Sequence, residues 1–245
     1  METVEVLGVP VARLTAAAAR AEIVRLYERD RPALVAYANA HTLNLASRDS
    51  GYREVLRSAD IVLNDGAGLA IAGRVFGRPF PENLNGSDFN PAILEEAAER
   101  GWPVFFLGAR PGVAAEAAQR LSARIGALRV VGTRDGYFAA SESDEVARSI
   151  AATGAGVLMV AMGNPLQELW LNRHLEATGA RLGVGVGAFL DFSAGVVPRA
   201  PTWLNRLGLE WVYRLLQEPR RMWRRYVVGN PLFLARVLRA RLRRK

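Results

Sequence analysis

The sequence has 245 residues, of which 50% are hydrophobic and 23% are charged. This balance excludes a fully disordered chain and provides enough apolar material for a sizeable core. The chain contains no cysteine, which excludes a disulfide-stapled scaffold, a thiolate metal site and a cysteine nucleophile.

The positive charge is concentrated near the C-terminus. Residues 196–245 carry thirteen basic and two acidic side chains, a net charge of +11, whereas the remainder carries a net charge of −3. Such asymmetry indicates an anionic partner, namely a phospholipid surface, a nucleic acid or a phosphorylated ligand. No secretory signal begins the sequence and no apolar run has the length of a membrane span. We therefore expect a cytoplasmic protein that contacts a membrane only at its surface.

Short apolar runs alternate with helical patterns up to about residue 190. Several of these runs are apolar on both faces, as buried parallel strands are. The alternation predicts an α/β layered fold with a mostly parallel sheet flanked by helices. The predicted strands cover residues 3–7, 34–38, 61–63, 103–107, 128–132, 156–161 and 182–186. The predicted helices cover residues 16–29, 88–100, 112–125, 141–152 and 166–177, with Ser141 as the candidate cap of the fourth.

The pattern changes near Gly195, after which no strand is predicted. Pro201, Pro219 and Pro231 each open a predicted helix, in which apolar residues recur at helical spacing between arginines. We therefore divide the chain into an α/β domain over residues 1–195 and a basic, amphipathic helical C-terminal appendage over residues 196–245. The apolar faces of the appendage suit either a membrane surface or self-association into a homo-oligomer.

The loops that follow the strands are where we expect chemistry, since parallel sheets bind ligands at the carboxyl ends of their strands. Asp65 stands between an apolar strand and a glycine, where a carboxylate can take a proton from a hydroxyl group. It also suits an Asx-turn or a helix cap. Loops 108–112 and 163–165 open predicted helices, and such loops either bind phosphate or bind nothing. The residues of interest are Asn39, Asn64, Asp65, Gly108, Gly163, Asn164 and Gln167.

Other chemical motifs do not occur in the sequence. His41 and His174 lack metal-ligand spacing, so we expect no metal site. There is no dinucleotide-binding loop, no Walker A loop and no Gly-x-Ser-x-Gly motif. In the appendage, Arg214, Arg221 and Arg224 have a spacing that can place them on one side of a helix, either in solvent or facing a ligand.

A set of short motifs runs in a fixed order along nearly the whole chain. The motifs are VLGVP at 6–10, ADIVLNDG at 59–66, GT at 132–133, GYF at 136–138, GNPLQELW at 163–170, RAP at 199–201, GLEW at 208–211, RL at 214–215, EP at 218–219 and RY at 225–226. Each is weak alone, but together they resemble the bacterial WecG/TagA/CpsF glycosyltransferase family.

The resemblance implies an inverting, metal-independent glycosyltransferase without a cofactor. Such an enzyme moves a sugar from a UDP-sugar to a polyprenyl-diphosphate-linked saccharide on the inner face of the cell membrane, for teichoic acid, enterobacterial common antigen or exopolysaccharide. It implies Asp65 as the general base and an appendage that closes over the site at an anionic membrane surface. Together with the loops that follow the strands, it gives the expected substrate-binding residues, which are Asn39, Asn64, Gly108, Gly163, Asn164, Gln167, Arg214, Arg221 and Arg224.

The sequence departs from well-known family members near the expected pocket. Tyr37-Ala38 stands in place of Thr-Pro, Asn83 in place of an arginine, and Asn64 in place of a common proline. Residues 83–86 resemble the xanthan-type exopolysaccharide branch, so glucose and glucuronic acid stand beside N-acetylmannosamine as candidate donor sugars.

Two other functions compete with this one. The first is a nucleic-acid-binding protein that uses the basic tail, but the chain has no RNA- or DNA-binding module signature, so we expect no nucleic-acid partner. The second is a nucleotide-sugar-modifying enzyme of another class, which would need a dinucleotide-binding loop.

Overall fold

The structure is a computed structural model that describes residues 1–198 and 210–243. It begins with an antiparallel hairpin of β1 (Thr3–Val6) and β2 (Val9–Ala12). The two turn residues, Leu7 and Gly8, have φ angles of 51° and 83°, which match the strand twist of a two-residue hairpin. The sequence prediction covers β1 but misses β2, because Pro10 interrupts it and the turn has no polar linker.

A six-stranded sheet forms the centre of the protein, and all of its neighbouring strands are parallel. The strands are β3 (Ala33–Ala38), β4 (Ile61–Asn64), β5 (Val104–Gly108), β6 (Val130–Arg134), β7 (Val157–Ala161) and β8 (Leu182–Gly185). Their order across the sheet is β4-β3-β8-β7-β5-β6. All six correspond to predicted strands, because their apolar residues face a core on both sides of the sheet.

Helices connect the strands and cover the sheet. They are α1 (Ala16–Tyr27), α2 (Ala40–Ala46), α3 (Ser50–Ser58), α4 (Ala67–Val75), α5 (Gly86–Glu99), α6 (Val113–Ile125), α7 (Ser143–Ala151), α8 (Leu166–His174) and α9 (Phe189–Ser193). Short 3₁₀ turns span Ala140–Glu142 and Glu176–Thr178. Side chains of the preceding residues cap α1, α2, α3 and α5.

Four of these helices, α2, α3, α4 and α9, were not predicted. They have between five and nine residues and lie in segments that the sequence analysis treated as loops or left unassigned. The prediction that Ser141 caps α7 is wrong, because Ser141 lies within the 3₁₀ turn and Glu142 precedes the helix.

Both faces of the sheet are covered, which confirms the layered α/β prediction. Along β3, Val35 packs into one core with residues such as Ile23 of α1, while Ala36 packs into the core on the other face with residues such as Leu43 of α2. Successive strand residues point to opposite faces, so each strand contributes to two cores.

The C-terminal segment is helical where it is described. It contains α10 (Glu210–Gln217), α11 (Pro219–Trp223), a π-helical turn (Arg224–Val228) and α12 (Gly229–Leu242). The start of the helix predicted from Pro201 lies outside the described residues. Helix α12 contacts α2 and α4, and its Phe233 and Val237 are fully buried in the core that contains the β1–β2 hairpin. Among the described helices, none is both long and apolar enough to cross a bilayer.

Candidate active site

A cavity of about 1570 Å³ lies along the carboxyl edge of the sheet. Parallel α/β sheets place their ligand sites at this edge. Residues following all six strands line it: Asn39 after β3, Asp65 after β4, Ala109 after β5, Gly136 after β6, Met162 after β7 and Val186 after β8. The C-terminal helices complete the lining with Trp211, Met222, Arg225, Tyr226 and Phe233.

The carboxylate of Asp65 lies in this cavity and is held in a fixed direction. The Asp65 backbone N–H donates to the carbonyl oxygen of Ala38 at 2.8 Å, and Asn39 Nδ2 donates to Asp65 Oδ2 at 3.0 Å. Asn39 Oδ1 in turn accepts from the Thr42 N–H and hydroxyl at 3.0 and 3.1 Å, so the amide is itself fixed. A half-buried, oriented carboxylate suits a general base.

Residues 82–84 are tied to the end of β4. Asn64 Nδ2 donates to the carbonyl oxygen of Glu82 at 2.8 Å, and the N–H of Leu84 donates to the carbonyl oxygen of Asn64 at 3.1 Å. Asn83 Oδ1 accepts from the N–H of Gly66 at 2.8 Å. Asn64 is buried and lies outside the cavity lining, so it positions this segment, whereas Asn83 lines the cavity.

The side chain of Gln167 joins the loops after β7 and β8. Its Oε1 accepts from the Gly163 N–H at 3.1 Å and from the Gly187 N–H at 3.0 Å. Its Nε2 donates to Glu168 Oε1 at 2.7 Å, and Asn164 Nδ2 donates to the same oxygen at 2.6 Å. The three predicted residues of this loop, Gly163, Asn164 and Gln167, all line the cavity.

Glu168 is fully buried beneath this loop and is a residue that the sequence analysis did not assign to the site. The hydroxyl of Tyr52 donates to Glu168 Oε2 at 3.0 Å, opposite the donors from Gln167 and Asn164. Burial raises the pKa of Glu168 to about 7, although the hydrogen bonds from these three side chains favour the charged form. Glu168 therefore fixes Asn164 and Gln167 from below the cavity.

Close backbone packing explains the glycine at the end of β5. A Cβ on Gly108 would lie 2.5 Å from the carbonyl carbon and oxygen of Ala161, so a side chain there would push β5 away from β7. The next residue, Ala109, has a φ of 57°, an unusual value for a residue other than glycine. Its N–H donates to the carbonyl oxygen of Ala161 and its carbonyl oxygen accepts from Gly136. Gly108 itself lies outside the cavity lining, and Ala109 and Arg110 line it.

His41 and Arg225 also line the cavity and were not predicted as site residues. Burial and the nearby positive charge of Arg225 lower the pKa of His41 to about 4, so this imidazole is neutral at pH 7. The Nε of Arg225 is buried and has no hydrogen-bond partner among the described residues. Arg225 belongs to the RY motif at 225–226, but nothing in the sequence predicts that it lies near His41.

The three predicted appendage arginines are only partly described. The side chains of Arg214 and Arg221 lie outside the described residues, although their backbones belong to α10 and α11. Arg224 is exposed and lies outside the cavity lining, whereas the adjacent Arg225 lies in it. Within residues 1–198 and 210–243, no group of three or more His, Asp or Glu side chains is arranged to hold a metal ion.

Comparison with known proteins agrees with the motifs. The model of the glycosyl transferase WecG/TagA/CpsF family matches residues 4–245. The chain is 33% identical over 212 residues to N-acetylglucosaminyldiphosphoundecaprenol N-acetyl-beta-D-mannosaminyltransferase of Bacillus spizizenii, covering 86% of this chain and 81% of that relative. This chain therefore belongs to the WecG/TagA/CpsF family and is a glycosyltransferase.

Proposed function

We propose that this enzyme moves a sugar from a UDP-sugar to a polyprenyl-diphosphate-linked saccharide in the synthesis of a cell-surface polysaccharide. The observation that carries the proposal is the carboxylate of Asp65, oriented by Asn39 inside the cavity. The relative's name supports such an acceptor, since it describes N-acetylglucosamine joined to undecaprenyl diphosphate.

The proposed transfer is a single displacement. Asp65 takes the proton of an acceptor hydroxyl while the hydroxyl oxygen forms its bond to the anomeric carbon of the donor. The bond from that carbon to UDP breaks, and its electron pair leaves on the diphosphate. Because attack and departure occur on opposite faces, the anomeric configuration inverts, and one base suffices.

The departing diphosphate needs positive charge, which guanidinium groups supply without a metal. Arg225 supports this role because it lines the cavity with an unpartnered Nε among the described residues. We retain Arg214, Arg221 and Arg224 as further proposed ligands. The loop of Gly163 and Asn164 lines the cavity just before the N-terminus of α8, where the positive end of the helix dipole favours a phosphate oxygen.

The name of the relative and the sequence of residues 83–86 lead to different donor sugars. The relative's name identifies an N-acetylmannosamine transfer, while residues 83–86 resemble the exopolysaccharide branch, with its glucose or glucuronic acid donors. Asn83 lines the cavity beside Gly66, so the divergent segment contributes to the site itself. A panel of UDP-sugars decides between these donors.

We also propose that residues 196–245 act as an appendage that binds the inner face of the membrane. In the described part, Trp223, Leu238 and Leu242 are exposed by 56%, 55% and 72%, and several arginines lie between them. Each arginine near an anionic surface contributes about 1 kcal/mol of attraction. Flotation with vesicles that contain phosphatidylglycerol should recover the wild type but less of the variant Trp223→Ser/Leu238→Ser. Equal recovery of both proteins would contradict this role.

The test of the transfer is UDP release with a lipid-diphosphate monosaccharide acceptor in the presence of EDTA. Release should require both substrates and should fall about a hundredfold or more in Asp65→Asn. Asp30→Asn changes an exposed carboxylate outside the cavity and serves as the matched control. Unchanged release in Asp65→Asn would remove Asp65 from the mechanism, and loss of release in EDTA would overturn metal independence.

A further inference from the structure

A buried asparagine of α2 fastens the C-terminal segment to the α/β domain. The Nδ2 of Asn44 donates to the carbonyl oxygen of Gly229 at 2.7 Å. Its Oδ1 and its backbone carbonyl oxygen accept from Arg236 Nη1 at 2.5 and 3.3 Å. A charged donor on one side and a carbonyl acceptor on the other favour a single orientation of the amide. Asn44 therefore holds α12 at two points that lie about two turns apart along the helix.

The bond to Gly229 also sets which part of the C-terminal segment lies against α2. His41 and Asn44 are three residues apart, so they lie on the same side of α2, about one turn from each other. Arg225 and Gly229 are four residues apart, about one turn of the π-helical stretch between α11 and α12. Arg225 accordingly lies near enough to His41 for its charge to lower the pKa of the imidazole, and both side chains line the cavity.

The other contacts of this segment do not fix its register in the same way. Phe233 and Val237 are buried in the core beside the hairpin, but apolar burial has no preferred direction. The guanidinium of Arg225 lies 5.4 Å from the centre of the Tyr226 ring, a contact that moves with the segment. A hydrogen bond, in contrast, requires a particular distance and angle. The bond from Asn44 therefore specifies the register that apolar packing leaves free.

We propose that Asn44 is a positioning residue for the transfer, because its bond to Gly229 sets the C-terminal segment on α2 in the register that brings Arg225 to the diphosphate of the donor. This inference rests on the proposed function, in which Arg225 stabilises the departing diphosphate. Asn44 lies outside the cavity lining, so it acts through Arg225. Helix α2 then serves both charges of the site: Asn39 at its start orients Asp65, and Asn44 places Arg225.

The test is a double-mutant cycle on the affinity for UDP, measured by calorimetry. Asn44→Leu keeps a side chain of similar size, removes both side-chain hydrogen bonds and adds no charge. Asn44→Leu and Arg225→Gln should each weaken UDP binding by about tenfold. The double variant should bind UDP within about twofold of Arg225→Gln alone, since Asn44 has no effect once Arg225 is absent. Two losses that multiply in the double variant would overturn the inference.

The titration of His41 by NMR gives a second reading of the same cycle. In Asn44→Leu the pKa of His41 should rise from about 4 towards its ordinary value, because Arg225 moves away. Adding Asn44→Leu to Arg225→Gln should cause no further rise, whereas a general loosening of the segment would raise the pKa in both backgrounds. An unchanged pKa of His41 in Asn44→Leu would also overturn the inference.

Two further variants control for folding. Asn172→Leu makes the same change at an exposed position of α8 outside the cavity and should alter neither reading. Asn44→Ala repeats the cycle with a side chain too small to clash, and thermal unfolding confirms that each variant is folded. UDP binding that is unchanged in Arg225→Gln would overturn the inference together with the diphosphate role of Arg225. Failure of the transfer proposal would appear separately, as UDP release that does not depend on Asp65.

Discussion

Asn39 Nδ2 donates to Asp65 Oδ2 at 3.0 Å, and this contact joins the carboxyl ends of two neighbouring strands, β3 and β4. Asn39 is also the N-cap residue of α2 through its Oδ1. One side chain therefore begins a helix and aims a carboxylate. The orientation of the Asp65 carboxylate is consequently set by the fold before substrate binds.

The variant Asn39→Asp tests this positioning role. A carboxylate at this position can still cap α2, but it places a second negative charge beside Asp65 and disfavours ionisation of the pair. The acidic limb of the pH–rate profile should move up by about one pH unit or more, with little loss of thermal stability. A profile that falls in height without moving along the pH axis would contradict the role.

Substitution of Gln167 should loosen two loops together. Gln167→Ala leaves the N–H groups of Gly163 and Gly187 without their acceptor, at a cost of about 1–3 kcal/mol for each group that stays buried. Hydrogen exchange should accelerate at both glycine amides, and activity should fall. Gln119→Ala changes an exposed glutamine of α6 and is the control. Faster exchange at only one of the two amides would contradict the conclusion that Gln167 holds both loops together.

The buried carboxyl of Glu168 should make stability depend on pH. Its pKa is raised from 4.5 to about 7, so the folded state holds the proton more tightly than the unfolded state does. Stability from this group is therefore greatest below about pH 4.5 and declines as the pH rises through 7. The full shift corresponds to roughly 3 kcal/mol.

Urea unfolding of the wild type and of Glu168→Gln between pH 5 and 8 measures this dependence. The variant keeps the size of the side chain but cannot titrate. The wild type should lose stability relative to the variant across this range. Two parallel curves would show that Glu168 does not titrate there.

The effect of the Arg225 charge on the pKa of His41 can be measured directly by NMR. Burial and the charge of Arg225 hold the pKa of His41 near 4. In Arg225→Gln the pKa of His41 should rise towards its ordinary value, because one of the two causes is removed. The chain has two histidines, so His174 serves as an internal reference. An unchanged titration of His41 would place Arg225 too far away to act on it.

Much of the candidate site was predictable because it follows strands. Asn39, Asp65 and Asn164 each come just after an apolar run, and the parallel sheet brings such positions to one edge. The family assignment then favours a glycosyltransferase. It disfavours the two alternatives, a nucleic-acid-binding protein and a nucleotide-sugar-modifying enzyme of another class. The roles of the individual residues stay predictions until the variants are measured.

The parts that could not be predicted depend on contacts between distant residues. Glu168 is acidic in a first helical turn, a common surface position, and only the packing of α3 against α8 buries it beside Tyr52. Arg225 follows another arginine in a basic tail, and helix phase alone decides that Arg225 rather than Arg224 lines the cavity. The spacing of residues along the sequence therefore predicts neither the burial of Glu168 nor the place of Arg225 in the cavity.

The burial of Phe233 and Val237 of α12 in one core with Val4 and Val6 has a consequence for synthesis. On the ribosome, β1 emerges early, whereas its packing partner on α12 emerges only after the whole sheet has been translated. Until then, the core beside the hairpin is incomplete and the cavity lacks the wall formed by Phe233. A nascent chain that stalls before α12 therefore exposes apolar surface to chaperones and proteases, and only a chain translated through α12 acquires a closed site.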